Sequence, residues 1–242
     1  MKEHNLEEYK KLFEIYDHNL SEEILSLFVK YKEELKQVSQ LAYMFRMDKN
    51  CMLPDRTAET LYLLVRERKP DSIIEFSPHN GWTSFWMIQA LLKNNKGHLY
   101  SFDIIPDAGE HLKQYSDIYH FTCGDVKKEL SDELVKNCSF FYIDSEHTEE
   151  FAAWYKTKIL DKKEKTNSTV IIDDIIHSNP GCWNSEADLI RGYLLEKNQK
   201  FCGFNRVRFG DKFDKLNYLT FDLPKGHHTD FSGELTTIFL TL

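Results

Sequence analysis

The chain has 242 residues, of which 41% are hydrophobic and 14% aromatic, and its formal net charge is -8. A chain of this length can bury one large core, and its acidic balance argues against nucleic acid or an anionic membrane as a partner. The five cysteines form no close-spaced pair and no apolar run reaches membrane-spanning length. We therefore expect no zinc ribbon, disulfide framework or membrane segment, and a cytoplasmic location.

The first 55 residues are expected to form a helical extension, followed by a main domain over residues 56–242. Apolar residues recur at helical spacing over 4–16 and 21–38, with Ser21 as the predicted cap of the second helix. We expect the apolar stripe to pack on the main domain. Contact with a second copy in a homo-oligomer and a lid over the substrate are the alternatives.

From residue 56 onward, strand-like and helix-like segments alternate. The predicted strands cover 71–76, 98–102, 118–122, 140–143 and 169–172, and the predicted helices cover 58–68, 82–93, 108–115, 126–135, 149–160 and 185–197. Three further stretches, 204–209, 216–221 and 236–240, are strand-like, and the sequence leaves open which two form a terminal antiparallel pair. The alternation predicts an α/β protein with a Rossmann-like, doubly wound, mostly parallel sheet.

Two neighbouring strands of this sheet are followed directly by acidic residues. Asp144 comes after the buried run 140–143 and is followed by His147, while Asp173 and Asp174 come after the β-branched run 170–172. Because open α/β sheets bind ligands at the carboxyl ends of their strands, we expect these side chains to share one crevice. Capping of the following helices by the aspartates is the structural alternative.

The chemistry of these residues points to a metal-assisted reaction. Carboxylate oxygens prefer Mg²⁺ or Mn²⁺, so Asp144, Asp173 and Asp174 are the predicted metal ligands. His147 is the predicted general base that takes a proton from an acceptor hydroxyl, since an ordinary imidazole titrates near neutral pH. A helix-start histidine bonded to a carboxylate is the alternative for His147, and His177 is a weaker candidate base.

The first strand and its loop predict a nucleoside site. Glu75 lies in an otherwise apolar strand and Gly81 opens the next helix, but residues 77–80 (Ser-Pro-His-Asn) lack the glycines that a pyrophosphate requires. A ligand with an adenosine and no phosphate fits better. Asp103 follows Gly81 at about the 20-residue distance at which an acidic residue meets a ribose diol, and Asp125 is placed to meet an adenine amino group.

These motifs resemble a known family. EFSPHNGWTS (75–84), GHLYSFDIIPD (97–107), IDSEH (143–147) and VIIDD (170–174) are similar to class I S-adenosylmethionine-dependent O-methyltransferases of the metal-dependent type. The catechol O-methyltransferase-like enzymes and the macrolide sugar O-methyltransferases are the nearest comparisons, over residues 56 to about 180. The resemblance implies the class I methyltransferase fold. One departure is Ser77, which stands where the family has a glycine.

The resemblance also implies roles. In those families an aspartate after the fourth strand and an acidic pair or Asp-Asn after the fifth bind magnesium, and the base lies three residues after the first aspartate; Asp144, Asp173, Asp174 and His147 match. The base is lysine in the catechol type and histidine in the sugar type, which favours a sugar or glycan acceptor with vicinal hydroxyls over a phenolic or polyketide-type one. The expected contacts of the S-adenosylmethionine cofactor are Glu75, Ser77, Gly81, Asp103, Asp125 and Asp144.

Two other classes of function are kept as alternatives. A Rossmann-like dehydrogenase would share the fold, but the glycine-poor first loop and the lack of a second substrate domain argue against it. A non-catalytic ligand-binding module would keep the fold without binding metal at the carboxylates. For Glu75, contact with the methionine ammonium and a buried, hydrogen-bonded structural carboxylate remain equal expectations.

Overall fold

The structure, a computed structural model, describes residues 11, 12, 14–45, 56–106, 108–177, 185–203 and 235–242. Seven strands of these residues form one sheet in the order β3-β2-β1-β4-β5-β7-β6. The strands are β1 Ser72–Phe76, β2 His98–Asp103, β3 Tyr119–Cys123, β4 Phe140–Ile143, β5 Thr169–His177, β6 Phe201–Gly203 and β7 Leu235–Thr241. Strands β1 to β5 are parallel, and β7 is antiparallel to β5 and β6. The predicted Rossmann-like, mostly parallel sheet is confirmed.

Helices connect the parallel strands, as the alternating sequence pattern predicts. The α-helices are α1 His18–Lys30, α2 Lys32–Phe45, α3 Arg56–Arg68, α4 Trp82–Asn94, α5 Val126–Glu129, α6 Asp132–Asn137, α7 Glu149–Tyr155, α8 Asp161–Lys163 and α9 Ser185–Lys197. A 3₁₀ helix covers Glu110–Tyr115, and a π-helical turn, Lys156–Leu160, joins α7 to α8. The single helix predicted over 126–135 is thus two short helices. No helix among the described residues is long and apolar enough to span a membrane.

The strand order explains where the crevice lies. Strand β1 pairs with β2 on one side and with β4 on the other, so the winding direction reverses between β1 and β4. Crevices for ligands form at such reversals, outside the carboxyl ends of the two strands. The β1–α4 loop therefore lies beside the residues that follow β4. All four residues of β4 and residues 170–172 of β5 are buried, which explains their uniformly apolar sequence.

The N-terminal helices are built onto the same core as the sheet. Helix α1 begins at His18 and is capped by Asp17, whose carboxylate accepts from the N–H groups of Asn19 and Leu20. The prediction that Ser21 caps this helix is wrong, because Ser21 lies inside it and is buried. Helix α1 ends at Lys30 and α2 follows after Tyr31, so the predicted run 21–38 is interrupted. The boundary at residue 55 stays a prediction.

The end of the sheet differs in part from the sequence prediction. The strand-like stretch 236–240 is confirmed within β7, whereas 204–209 and 216–221 lie outside the described residues. The other antiparallel partner is β6, which the sequence did not indicate. Strand β5 also runs past the predicted end at residue 172 and pairs again with β7 at 176–177. The two aspartates of β5 therefore lie inside a strand.

Candidate active site

An irregularity in β5 brings its two aspartates to the rim. The last parallel pair of β4 and β5 is Ile143 with Ile172, and the register between β5 and β7 shifts between 172 and 176. Asp174 has φ of 62°, a left-handed conformation that is uncommon for residues other than glycine. In a regular strand, consecutive side chains would point to opposite faces. The bulge breaks this alternation, and both carboxylates lie near the residues that follow β4.

Asp144, His147 and Asp174 form a compact cluster. One ligand atom from each residue lies within 4.8 Å of the ligand atoms of the other two. Burial raises the pKa of Asp144, and the nearby charge of Asp174 raises it further. Two carboxylates at such close range form a site that a cation would stabilise.

His147 is held between two carboxylates. Its Nε2 lies 3.3 Å from Oδ2 of Asp174, and its Nδ1 lies 2.7 Å from Oε2 of Glu186. The hydrogen bonds to Asp174 and then to Glu186 raise the pKa of His147 to about 10. Without a cation, the imidazole is therefore protonated at neutral pH. It supplies the positive charge that the cluster otherwise lacks.

Glu186 is a member of this site that the sequence reasoning missed. It lies in the first turn of α9 and is 1% exposed. Its second oxygen, Oε1, accepts a hydrogen bond of 2.9 Å from the hydroxyl of Tyr155. The sequence offers only a glutamate just after a capping serine, which is the ordinary composition of a helix start.

Asp173 is connected to the cluster through Tyr142. The phenol of Tyr142 lies 3.3 Å from Oδ2 of Asp144 and 3.4 Å from Oδ2 of Asp173, and it can donate its one proton to either. Thr237 of β7 also donates to Asp173, and the Thr237 hydroxyl lies 2.9 Å from that of Thr57. The three predicted acidic ligands thus converge on one end of the sheet. Metal binding by them stays a prediction.

Three residues of the β1–α4 loop have left-handed backbone conformations. Ser77 has φ of 56°, His79 has φ of 48° and Gly81 has φ of 75°. Ser77 thus adopts a conformation that glycine takes at no steric cost, and its N–H donates to the carbonyl of Phe102 at 2.8 Å. At Gly81 the positive φ favours glycine, and a Cβ there would lie 2.8 Å from a terminal methyl of Leu112, which would have to move.

Glu75 is enclosed beneath this loop. It is fully buried, and its carboxylate accepts hydrogen bonds from the hydroxyls of Thr83, Ser84 and Ser101 at 2.6 to 2.7 Å. Burial raises the pKa of Glu75, and the three hydroxyls oppose that rise. This enclosure is the structural alternative that the sequence left open. Contact of Glu75 with a methionine ammonium stays a prediction.

Asp103 and Asp125, the other predicted cofactor contacts, each accept hydrogen bonds from backbone N–H groups. The carboxylate of Asp103 accepts from the backbone N–H of His79 at 3.0 Å and from that of Ile105 at 2.9 Å, so it fixes the loop against the end of β2. Asp125 caps the short helix α5 by accepting from the N–H of Lys127 at 2.9 Å. Cofactor contacts by either residue stay predictions.

A cavity of about 610 Å³ lies between the loop and Asp144, the member of the cluster that lines it. It is lined by residues 77–80 and by Thr57, Trp82, Thr83, Tyr142, Asp144, Ser145 and Asp173. The predicted nucleoside side and the predicted metal side therefore face one space. The side chain of His177 lies outside the described part of the chain.

Residues 75–175 match the family model of a methyltransferase domain. No curated protein sequence matches the chain. Solved structures share its fold. They include an O-methyltransferase from Bacillus cereus in complex with SAH, 15% identical with a TM-score of 0.54, where the alignment covers 86% of this chain and 90% of that one.

Two further solved structures are similar. A protein from Staphylococcus aureus provisionally named a caffeoyl-CoA O-methyltransferase is 13% identical with a TM-score of 0.55, over 88% of this chain and 99% of that one. TomG from Streptomyces achromogenes, an O-methyltransferase of tomaymycin synthesis in complex with SAM, is 14% identical with a TM-score of 0.51, over 86% and 88%. These findings confirm the resemblance to class I S-adenosylmethionine-dependent methyltransferases.

Proposed function

We propose, from the premise that this chain carries a methyltransferase domain with the class I fold, that it transfers the methyl group of S-adenosylmethionine to a hydroxyl oxygen with a divalent cation at its acidic cluster. The observation that carries the proposal is the cluster of Asp144, His147 and Asp174 within 4.8 Å, beside a cavity that also reaches the β1–α4 loop.

The residues present fit a divalent cation. Asp144 and Asp174 supply hard oxygen donors, and Asp173 is linked to Asp144 through Tyr142. Burial raises the pKa of Asp144, and the nearby charge of Asp174 raises it further. Oxygen donors suit Mg²⁺ and Mn²⁺. When bound, such an ion lowers the pKa of a coordinated acceptor hydroxyl and fixes its direction.

The cofactor is proposed to lie along the β1–α4 loop. Each oxygen of Asp103 accepts one backbone N–H and has further lone pairs, so the carboxylate can also accept from a ribose diol. The left-handed residues of the loop keep its backbone close to the ends of β1 and β4, beside Asp144. A cofactor held there would bring its methyl group into the cavity between the loop and Asp144, where the acceptor oxygen could attack in line.

His147 is proposed as the general base, acting at Nε2. Asp174 and Glu186 hold a proton on the ring, and the raised pKa of His147 means that this proton must leave before the ring can act. Nε2 could accept a proton from the acceptor only when the charge of Asp174 is engaged elsewhere, as it would be if Asp174 held a cation. Glu186 keeps its bond to Nδ1 throughout.

The proposed acceptor is a sugar or glycan with vicinal hydroxyls. The support is the histidine at the position of the base, which the metal-dependent sugar O-methyltransferases share, together with a cluster that two adjacent hydroxyls can approach. A phenolic or polyketide-type acceptor is the alternative, since catechols also supply adjacent hydroxyls.

The test is transfer of labelled methyl from S-adenosylmethionine to a panel of glycan and phenolic acceptors, with Mg²⁺, with Mn²⁺ and with excess chelator. We expect turnover only with a cation, and we expect Asp174→Ala to abolish turnover while affinity for S-adenosylmethionine is kept, because the ion acts on the acceptor. Asp117→Asn, a change at an exposed aspartate, is the matched control. Full activity in chelator would remove the cation from the mechanism. Binding of NAD instead of S-adenosylmethionine would favour the dehydrogenase alternative.

A further inference from the structure

A buried carboxylate lies behind the ring of His147. Glu186 is 1% exposed, and both of its oxygens are occupied, Oε2 by Nδ1 of His147 at 2.7 Å and Oε1 by the hydroxyl of Tyr155 at 2.9 Å. Burying a carboxylate is unfavourable, and an apolar residue at the same place would often stabilise the fold as well or better. The arrangement therefore calls for an explanation other than packing.

The hydrogen bonds decide which nitrogen of His147 faces the site. An ionised carboxylate only accepts, so Nδ1 must carry the proton of the bond to Glu186. Nε2 is then the nitrogen that lies 3.3 Å from Asp174. A histidine without such a partner can rotate its ring and exchange its protonated nitrogen. Glu186 removes both freedoms.

Helix α9, which carries Glu186, is hydrogen-bonded to the segments that follow His147 and Asp174. Ser185 accepts the N–H of Glu149 at 3.0 Å, which ties the start of α9 to the start of α7, two residues after His147. Arg191, 1% exposed, donates to the carbonyl of Ile175 at 3.2 Å, directly after Asp174. The helix is thus bonded to the chain on both sides of the cluster, and the distance from Glu186 to His147 is fixed by these contacts.

We propose that Glu186 is a positioning residue for His147, which keeps a proton on Nδ1 and presents Nε2 to Asp144 and Asp174, and that Tyr155 in turn holds Glu186. The effect of this positioning on methyl transfer rests on the proposed function. The positioning itself is a property of the folded chain.

The first test is ¹⁵N NMR of histidine-labelled protein without cation, using Glu186→Gln, Tyr155→Phe and the control Glu196→Gln, an exposed glutamate on the same helix. In the wild type we expect a hydrogen-bonded Nδ1 proton on His147 that exchanges slowly with solvent. Because a neutral amide is a weaker acceptor than a carboxylate, Glu186→Gln should speed this exchange about 5- to 10-fold. Tyr155→Phe, which keeps the carboxylate, should cause a smaller increase, and Glu196→Gln none.

The second test is kinetic. Partners that orient a histidine at a metal site typically change activity or affinity by about 10- to 100-fold when mutated, so Glu186→Gln should lower kcat by about that factor with the KM for S-adenosylmethionine unchanged. Unchanged Nδ1 exchange and ¹⁵N shifts in both Glu186→Gln and Tyr155→Phe would overturn the proposal. If the wild type methylates no acceptor, the proposed function fails, while the NMR result still decides the positioning of His147.

Discussion

Cation binding at the acidic cluster should release close to one proton per ion at pH 8. Without cation, Asp174 and Glu186 raise the pKa of His147 to about 10, so the ring is about 99% protonated at pH 8. An ion that engages Asp174 removes the larger of these two causes and adds a positive charge beside the ring, so the pKa of His147 should fall toward the ordinary imidazole value of about 6.5. At that ordinary value the ring would be about 3% protonated at pH 8, so the expected release approaches about one proton per ion.

The assay is titration calorimetry of Mn²⁺ in buffers of different ionisation enthalpy, where the slope of the observed enthalpy gives the number of protons released. Because proton and ion compete, the apparent affinity should also rise by close to 10-fold from pH 8 to pH 9. His147→Asn should abolish the release, and His18→Gln, at an exposed histidine of α1, should not change it. A slope near zero in the wild type, or the same slope in His147→Asn, would refute the reasoning.

Two other predictions concern stability. The hydrogen bond from Arg66 lowers the pKa of Glu34 from its ordinary 4.5, so the contribution of this pair to the free energy of unfolding is present above pH 4.5 and is lost as the pH falls through the lowered value. Glu34→Gln should lower the urea midpoint at pH 7 and flatten the decline of that midpoint in acid. Parallel acid profiles of the wild type and Glu34→Gln would contradict this. Gly97 has φ of 93° and a Cβ there would lie 2.3 Å from the carbonyl of Pro70, so Gly97→Ala should destabilise the protein by roughly 2 kcal/mol or more in urea unfolding. Gly192→Ala, in α9 with open space around it, should instead stabilise by up to about 1 kcal/mol, and equal effects of the two changes would count against the argument.

The central elements were predictable because their signals are local. A strand buried on both faces must be apolar throughout, and the runs 140–143 and 170–172 show this directly. The cap of α1 was not predictable by the same means, since Asp17 and Ser21 are both good capping residues. Strand β6 decides which residue caps the helix. The N–H of Asp17 donates to the carbonyl of Phe201 at 2.7 Å, and α1 begins directly after this contact of the N-terminal segment with β6.

Strand β6 and the continuation of β5 were not predicted either, because they too depend on contacts between distant parts of the chain. Strand β6 has three residues, too few to show an alternation, and it exists through its pairing with β7. Strand β5 continues through two aspartates, a composition that ordinarily ends a strand, because β7 resumes pairing beyond them. In both cases the deciding hydrogen bonds come from residues distant in sequence.

The sequence by itself determined which acidic residues follow the buried runs 140–143 and 170–172, although β5 continues past its two aspartates. Polar residues must follow a doubly buried strand where it reaches solvent, so Asp144, Asp173 and Asp174 could be identified from their positions alone. Only the tertiary structure decided that Glu186, 39 residues from His147, is its partner. That contact depends on where α9 packs, and packing is set by the whole core and not by the residues around either side chain.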